Sequence, residues 1–465
     1  MTYSLDKKEP ARETKTEMPV KRAIVRLASL DAYRGFTMLL LAANGFGLVT
    51  VAKKFPDDPT WQYVKYLFSH VKWGFYPSTD MTWMEKLMDV AHWITAWDMI
   101  QPSFMFMVGV SLPFSYGKRK ALGNSYLRMF GHAAVRAVIL VLLGVWLRSF
   151  NHASTNWFFM DVVAQIGLGY LFLFLLWNRG FKIQMAAFCL ILVGYWAFFA
   201  MSPLPDKETD LAAVGVIEGA PDYELQYTGF EAHWNKNTNI AHTFDLWFMN
   251  LFPQNQKGKG YVTVGKGKDS AGKEYDIREY KYNSGGYQVL NFIPSIATML
   301  LGMMAGTLLY THAIGKDNST GMQIATKLFI AGVVCILLGK GLELAGVCPI
   351  VKIIWTPSWT LFSGGICLLI LTSLYMVIDV IGLKFWAFPA IVVGMNSIAI
   401  YVMHNNNVLG KPIQNFLSTH GSKDIFTLYG YVSDVYVPIV QASLGLLVLW
   451  IILFWMYRQR FFVRV

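Results

Sequence analysis

Charge is what this sequence has least of. Only 15% of its 465 residues are Asp, Glu, Lys or Arg, whereas 54% are hydrophobic. Soluble domains carry about 25% charged residues, so the composition excludes an ordinary soluble protein. Apolar runs of about 20 residues recur along the whole length, and a helix of that size crosses a bilayer. The sequence therefore predicts an all-α polytopic membrane protein.

Cysteine is also scarce, and several short catalytic motifs are missing. Cys189, Cys335, Cys348 and Cys367 lie in or near apolar segments without paired spacing, which favours packing over a disulfide framework or metal ligation. The sequence contains no HExxH, no CxxC pair and no GxxxxGK[ST]. It therefore gives no support for a metal site, for ATP hydrolysis or for redox chemistry.

The distribution of basic residues predicts the orientation in the membrane, because Lys and Arg stay on the cytoplasmic side. This accounts for the net charge of +11 without nucleic acid as a partner. We expect no cleaved leader and about ten spans, with both termini cytoplasmic. The predicted spans are 28–52, 98–117, 133–149, 161–178, 183–201, 288–311, 322–346, 358–380, 386–404 and 433–457.

These spans divide the chain into four parts. Residues 1–26 form a basic cytoplasmic tail, and 27–201 hold spans one to five with an external His loop at 53–97. Residues 202–286 form a long external loop subdomain between spans five and six, and 287–465 hold spans six to ten. In the long loop, KGYVTVGKG and EYDIREYKYN are expected to form short strands.

Polar residues inside the first span mark a candidate site, because polar groups at membrane depth are costly. Asp31 and Arg34 are three residues apart, one helical turn. They form either an ion pair that locks helices near the cytoplasmic edge or a contact to a ligand phosphate, which Arg suits well. Asn44, near the outer end, either packs helices or contacts a ligand.

The loop after the first span carries the candidate catalytic residues. His70 lies in FSHVKWGF and is followed by Trp73, and the chain then enters WDMIQPSF at Asp98. Imidazole is the side chain best suited to moving a proton near neutral pH. Asp98 could orient it as a third group. His92, in AHWITAWD, is a second candidate that spacing alone leaves open.

The long loop contains a candidate sugar surface. Trp234, Asn235 and Asp245 belong to GFEAHWNKNTNIAHTFDLWF, where aromatic and planar polar side chains interleave. Such a mixture binds sugars through ring faces and hydrogen bonds. The alternative is a belt of aromatic residues at the membrane interface.

Two later segments add polar groups near the membrane. Lys352 and Trp355 lie in CPIVKIIWTPSW at the outer edge, where Lys352 either snorkels or contacts substrate. Asn396 and Ser397 lie in GMNSIAIYVMH inside the ninth span. They either line a polar cavity or bind neighbouring helices.

Several of these segments together resemble one family. They are similar to the transmembrane acetyltransferases typified by heparan-α-glucosaminide N-acetyltransferase, and especially to its bacterial relatives. The matching segments, in the family's order from residue 26 to about 404, are RLASLDAYRGFTMLLLAANG, HVKW, WDMIQPSFMFMVGVSLPFS, NFIPSIATMLLGMMAG, KIIWTPSWTLFSGG and GMNSIAIYVMH.

The resemblance implies an enzyme that moves an acetyl group from acetyl-CoA to the amine of a terminal glucosamine or a related amino sugar on the outer face. The family's catalytic His in H-x-x-W, after an Asn in the first span, matches His70 and Asn44 here. This chain inserts YPSTDMTWMEKLMDVAHW before Asp98, which keeps His92 as the alternative. The residues then expected to contact acetyl-CoA are Arg34, Asp31, Asn396 and Ser397, and those expected to contact the acceptor are Trp73, Trp234, Asn235, Asp245, Lys352 and Trp355.

The expected location is the inner membrane of a bacterium, with the His loop periplasmic. The expected partners are acetyl-CoA, a glycan acceptor and the lipid bilayer, and a homodimer is left open. Two other functions remain at this point: a sugar transporter without group transfer, and an O-acyltransferase of an envelope polysaccharide.

Overall fold

The computed structural model describes residues 26–70, 73, 94–150, 154–205, 210–217, 226–254, 258–268, 274–404 and 431–463. Most of these residues are helical. The helices are α1 (Ala28–Ala42), α2 (Leu48–Ala52), α3 (Pro59–Leu67), α4 (Ile100–Ala121), α5 (Tyr126–Ser149), α6 (Val162–Leu176), α7 (Phe181–Ala200), α8 (Ile240–Met249), α9 (Phe292–Ala313), α10 (Gly321–Leu344), α11 (Pro357–Leu374), α12 (Phe388–Gly394), α13 (Ser397–His404) and α14 (Val437–Arg458). A π-helical turn, Tyr375–Val380, extends α11.

The long apolar helices confirm a polytopic membrane protein. Within the described ranges, seven helical segments are long and apolar enough to cross a bilayer, and the pair α12 and α13, bent by 67°, adds an eighth if it forms one span. The seven are Ala28–Ala52, Tyr126–Ser149, Phe181–Ala200, Val289–Ala313, Gly321–Leu344, Pro357–Val380 and Asp434–Arg458. Helices also occupy the predicted second and fourth spans, as α4 and the 15-residue α6. The number ten stays a prediction.

Glycines allow the central helices to pack closely. A Cβ added at Gly109 of α4 would lie 1.8 Å from the carbonyl oxygen of Met299 in α9, and one at Gly302 would lie 2.1 Å from that of Phe106. Small residues of this kind let helix backbones approach in a membrane. The contact fixes α4, and therefore Asp98 just before it, in the middle of the bundle.

The first span is broken at its far end by a left-handed turn. Asn44, Gly45, Phe46 and Gly47 all have positive φ, from 45° to 68°. This conformation costs a residue such as Phe46 about 1–2 kcal/mol, so the surrounding packing must hold it. A Cβ at Gly45 would lie 3.3 Å from Phe68, and one at Gly47 would lie 2.6 Å from the carbonyl oxygen of Pro438. The break therefore packs against the chain just ahead of His70.

The long loop contains the two predicted strands. Strand β1 (Tyr261–Lys268) pairs antiparallel with β2 (Glu274–Tyr280), and Tyr261 lies opposite Tyr280. The loop also contributes α8. A buried cluster joins it to α7 and to the segment before α11; its members include Trp73, Tyr195, Phe199, Trp234, Cys348, Val351 and Ile354. The treatment of 202–286 as a separate external unit stays a prediction.

Candidate functional site

The turn before α4 brings the His loop and Asp98 together. The backbone N–H of Asp98 donates to Thr95 Oγ1 at 3.1 Å. The same hydroxyl oxygen lies 2.7 Å from the carbonyl oxygen of Ser69 and 3.0 Å from Asp98 Oδ2. Thr95 therefore links the residue before His70 to the turn that carries the carboxylate.

His70, Asp98 and Lys352 form one cluster, which we call the outer group. Asp98 Oδ1 lies 2.8 Å from His70 Nδ1 and 2.8 Å from Lys352 Nζ. Lys352 Nζ lies 3.0 Å from His70 Nδ1. The side chain of Asp98 is 1% exposed and that of Lys352 is 10% exposed, whereas the imidazole is 48% exposed. The imidazole is the member that a substrate can reach.

Asp98 is ionised although it is buried. Burial by itself raises the pKa of this carboxyl, but the charge of Lys352 and the hydrogen bonds from His70 and Lys352 outweigh it, so the net pKa lies well below its usual range. A carboxylate can only accept hydrogen bonds. In the tautomer whose Nδ1–H donates to Asp98, the Nε2 lone pair of His70 is available; in the other tautomer, Nδ1 accepts from Lys352 and Nε2 carries the proton. In the first tautomer, the imidazole can act as a base or as a nucleophile.

The segment that carries Lys352 is fixed by hydrogen bonds on both sides. The Asn291 amide donates to the carbonyl oxygen of Ile353 at 2.7 Å, and the Tyr195 hydroxyl donates to that of Ile354 at 3.2 Å. Trp355 is fully buried, has φ of 52°, and donates from Nε1 to Thr298 Oγ1 at 3.1 Å. Trp355 therefore holds the segment from inside the bundle, and Lys352 is the member that reaches the site.

The remaining residues predicted to contact the acceptor are buried around Trp73. The Trp73 indole, 2% exposed, donates to the carbonyl oxygen of Trp234 at 3.2 Å. Trp234 is fully buried and stacks on Phe199 at 6.3 Å between ring centroids. The Asn235 side chain bonds both backbone groups of Tyr227, at 2.6 and 2.9 Å. These contacts attach the long loop to the H-x-x-W segment, and a role in substrate contact stays a prediction.

Asp245 is likewise an internal residue of the long loop. It is fully buried on α8, and both carboxyl oxygens accept from the N–H of Val289 at 3.2 Å. Burial raises the pKa of Asp245 well above its usual range. The side chain connects α8 to the start of the sixth predicted span.

A second cluster, the inner group, contains Asp31, Arg34 and Ser111. Asp31 lies 2.5 Å from Arg26 and 3.5 Å from Arg34, so the predicted one-turn ion pair is present. Arg34 also donates to Ser111 of α4. Arg119 of α4 lies 2.8 Å from His132, and Arg136 of α5 lies 3.2 Å from the Tyr170 hydroxyl. This cluster offers guanidinium groups but no close carboxylate–imidazole pair.

Other predicted residues lie elsewhere. Asn44 is exposed at the left-handed turn. Asn396 is fully buried; its amide donates to the carbonyl oxygen of Phe461 at 3.1 Å and accepts from the N–H of Val463 at 3.0 Å. Ser397 is the first residue of α13. His92 lies outside the described residues. Over the part of the chain that is described, no three His, Cys, Asp or Glu side chains gather as metal ligands would.

Helical spans with a buried carboxylate held against an accessible imidazole define the class: an integral membrane protein with a carboxylate–imidazole pair. No family model matches the chain. The chain is 25% identical over 408 residues to heparan-alpha-glucosaminide N-acetyltransferase of Mus musculus and 24% identical over 409 residues to that of Homo sapiens. These matches cover 82% of this chain but 53% and 52% of the relatives, so the chain spans about half their length. It is a distant relative of these enzymes, which confirms the resemblance.

Proposed function

We propose that this protein is a membrane acetyltransferase that moves an acetyl group from acetyl-CoA to the amine of a terminal glucosamine or a related amino sugar. The relatives carry the name of such an enzyme. The observation that carries the proposal is the 2.8 Å contact between His70 Nδ1 and the buried Asp98. It orients an imidazole whose other nitrogen remains accessible.

The chemistry of amide formation requires such a group. An amine that attacks a thioester carbonyl must lose a proton, and a base within hydrogen-bond reach accelerates that step. His70 Nε2 accepts this proton, and Asp98 stabilises the imidazolium that results. The C–S bond breaks as the C–N bond forms, and the proton leaves with the thiol. In the alternative route, Nε2 carries the acetyl group transiently before the amine attacks.

Asn44 can supply the hydrogen-bond donor that such a site needs for the thioester oxygen. Its amide can donate to the thioester oxygen as negative charge develops there. The neighbouring Gly45 packs on Phe68, two residues before His70. This contact supports a place for Asn44 on the same side of the bundle as the imidazole.

The phosphates of acetyl-CoA need cationic partners, and the inner group fits them. Arginine binds phosphate through two parallel N–H groups. Arg34 is 27% exposed and has a hydroxyl neighbour in Ser111. We assign the phosphate contacts to Arg34 with Arg119 and Arg136. Asn396 and Ser397 remain proposed contacts; the backbone bonds of Asn396 favour a structural role instead.

The proposed location follows from the basic loops. Both termini and the inner group face the cytoplasm, where acetyl-CoA is made, and His70 faces the periplasm of a bacterial inner membrane. The acceptor is then a glycan outside the cell membrane. A homodimer remains open.

The proposal is tested with purified full-length protein, labelled acetyl-CoA and glucosamine. We expect labelled N-acetylglucosamine from the wild type and about 10²–10⁴-fold slower formation with His70→Ala, because a positioned base is lost. His312→Ala is the matched control and should retain activity. His92→Ala is measured beside them: if it alone abolishes transfer, the catalytic residue is His92.

The same assay separates the other functions. Glucose in place of glucosamine offers hydroxyls only, so a labelled ester would indicate an O-acyltransferase. Sugar uptake into vesicles with no labelled product would indicate a transporter. If His70→Ala and His92→Ala both transfer at the wild-type rate, the proposed site is wrong.

A further inference from the structure

Lys352 occupies a position that the proposed function does not explain. Its ammonium nitrogen lies 3.0 Å from His70 Nδ1 and 2.8 Å from Asp98 Oδ1, although it is 282 residues from the histidine in sequence. An ammonium group has three donors and no acceptor. In the tautomer whose Nδ1–H donates to Asp98, Lys352 cannot also donate to Nδ1, so its close approach acts through charge.

We propose that Lys352 is a positioning residue that keeps the imidazole of His70 neutral, so that His70 can accept a proton near neutral pH. The proposal rests on the proposed role of His70 as base or acetyl carrier. Lys352 would not touch the reacting atoms; it would act through His70 and Asp98.

The reason is the balance of charge around the imidazole. A buried carboxylate next to a histidine favours the imidazolium form, because opposite charges within about 4–6 Å attract. An imidazolium has no lone pair and cannot act as a base. Lys352 places a positive charge on the same carboxylate oxygen and beside the same ring nitrogen, so it disfavours the second positive charge. With Lys352 charged, Asp98 ionised and His70 neutral, the cluster has no net charge.

Burial strengthens the interaction between Asp98 and Lys352. Lys352 is 10% exposed and Asp98 is 1% exposed, so solvent and salt screen this pair little, whereas the imidazole is 48% exposed and is screened more. The neighbouring residues Ile353 and Ile354 are held by Asn291 and Tyr195, which limits how far the lysine can move away. A surface lysine at the same distance would rotate into water and have little influence.

Tyr66 of α3 is a titratable group that interacts with this cluster. The charge of Asp98 acts on Tyr66 of α3, and burial first and that charge second raise the pKa of Tyr66 to about 12. Its phenol is therefore neutral in the working pH range and adds no charge.

The test measures the protonation of His70 directly, without relying on acetyl transfer. Diethyl pyrocarbonate modifies neutral imidazole, and mass spectrometry of the full-length protein quantifies the modification at His70 as a function of pH. We expect the midpoint of reactivity in Lys352→Met to move to higher pH by at least about one unit, roughly a tenfold loss of reactivity below the midpoint. Lys352→Arg keeps the charge and should follow the wild type. Lys281→Met removes a lysine of the long loop and is the control; it should leave the midpoint of His70 reactivity unchanged.

A second pair of variants covers the case in which Lys352→Met fails to fold. Lys352→Cys is made with Cys189→Ala, because Cys189 is the exposed cysteine while the other three are buried. Labelling the new thiol with an aminoethyl group restores a positive charge, and labelling with a hydroxyethyl group of similar size does not. We expect only the aminoethyl form to return the midpoint to the wild-type pH.

The outcomes separate this proposal from the proposed function. An unmoved midpoint in Lys352→Met, or equal rescue by both labels, rejects the role of Lys352. A shifted midpoint in a protein without transferase activity supports the charge effect and rejects the function. Lost transfer with an unmoved midpoint makes Lys352 a substrate contact instead.

Discussion

The outer and inner groups are built around the same kind of residue, yet they can do different chemistry. Each has a nearly buried carboxylate, Asp98 at 1% and Asp31 at 7% side-chain exposure. Asp31 pairs with guanidinium groups, which stay protonated at any physiological pH. Asp98 pairs with an imidazole, whose charge changes near neutral pH. The partner of the carboxylate, rather than its burial, decides whether a cluster can move a proton or only hold an anion.

The two groups are also far apart along one helix. Asp98 lies two residues before α4, and Ser111 lies eleven residues after its first residue, Ile100, a helical rise of about 17 Å. A substrate with a charged head and a reactive end at a distance can therefore contact both groups. The following changes test each group separately, and the largest effect is expected at the outer one.

Asp98→Asn breaks the outer group. We expect transfer to fall about 10²-fold or more, because the imidazole loses the acceptor that fixes its tautomer. Leaving Lys352 buried without its carboxylate should also destabilise the protein by about 3 kcal/mol. Turnover and Tm are measured together, with Asp317→Asn at an exposed loop as the control. A normal turnover in Asp98→Asn would show that the contact with His70 is structural only.

The pH dependence of the stability of Asp98→Asn tests whether Asp98 is ionised in the folded protein. The folded-state pKa of Asp98 lies below its unfolded value of about 3.9, so its stabilising effect is present above that pH and is lost as the pH falls further. The difference in Tm between wild type and Asp98→Asn should therefore shrink below about pH 4.

Arg34→Gln tests the inner group and should have a smaller effect. We expect the KM for acetyl-CoA to rise about tenfold with little change in kcat, because binding is lost while the base is intact. Arg34→Lys keeps the charge but not the paired N–H groups, and should give an intermediate KM. A lower Tm with an unchanged KM would support the other interpretation, an ion pair that locks helices.

Single cysteine substitutions, which should have the smallest effect on transfer, test whether the outer and inner groups face opposite sides of the membrane. Lys118→Cys, near the end of α4, and Lys266→Cys, on β1, are made separately with Cys189→Ala and labelled in intact cells with a membrane-impermeant thiol reagent. We expect Lys266→Cys to react and Lys118→Cys to react only after the membrane is opened, with transfer unaffected in both. Reaction of both in intact cells would overturn the predicted topology.

Much of the fold follows from local sequence. The long apolar runs appear as helices near the predicted bounds, since a run of that length has few alternatives in a bilayer. The two strands of the long loop are where alternation and turn residues place them. The left-handed turn at 44–47 was not predicted, because Phe46 adopts a conformation that its own preference disfavours. Tertiary contacts with Phe68 and Pro438 decide it.

In the candidate site, too, some features follow from the local sequence and others only from the tertiary structure. The sequence by itself indicated a carboxylate, Asp98, at the start of the second predicted span and an imidazole, His70 or His92, in the loop before it. The tertiary structure decided that Lys352 completes the cluster, because a contact across 254 residues leaves no trace in local pattern or spacing. It also placed Trp234 and Asp245 inside the protein, since their burial depends on which helices the long loop covers. Helices are specified by neighbours in the chain, whereas the charge around an imidazole is specified by whatever the fold brings next to it.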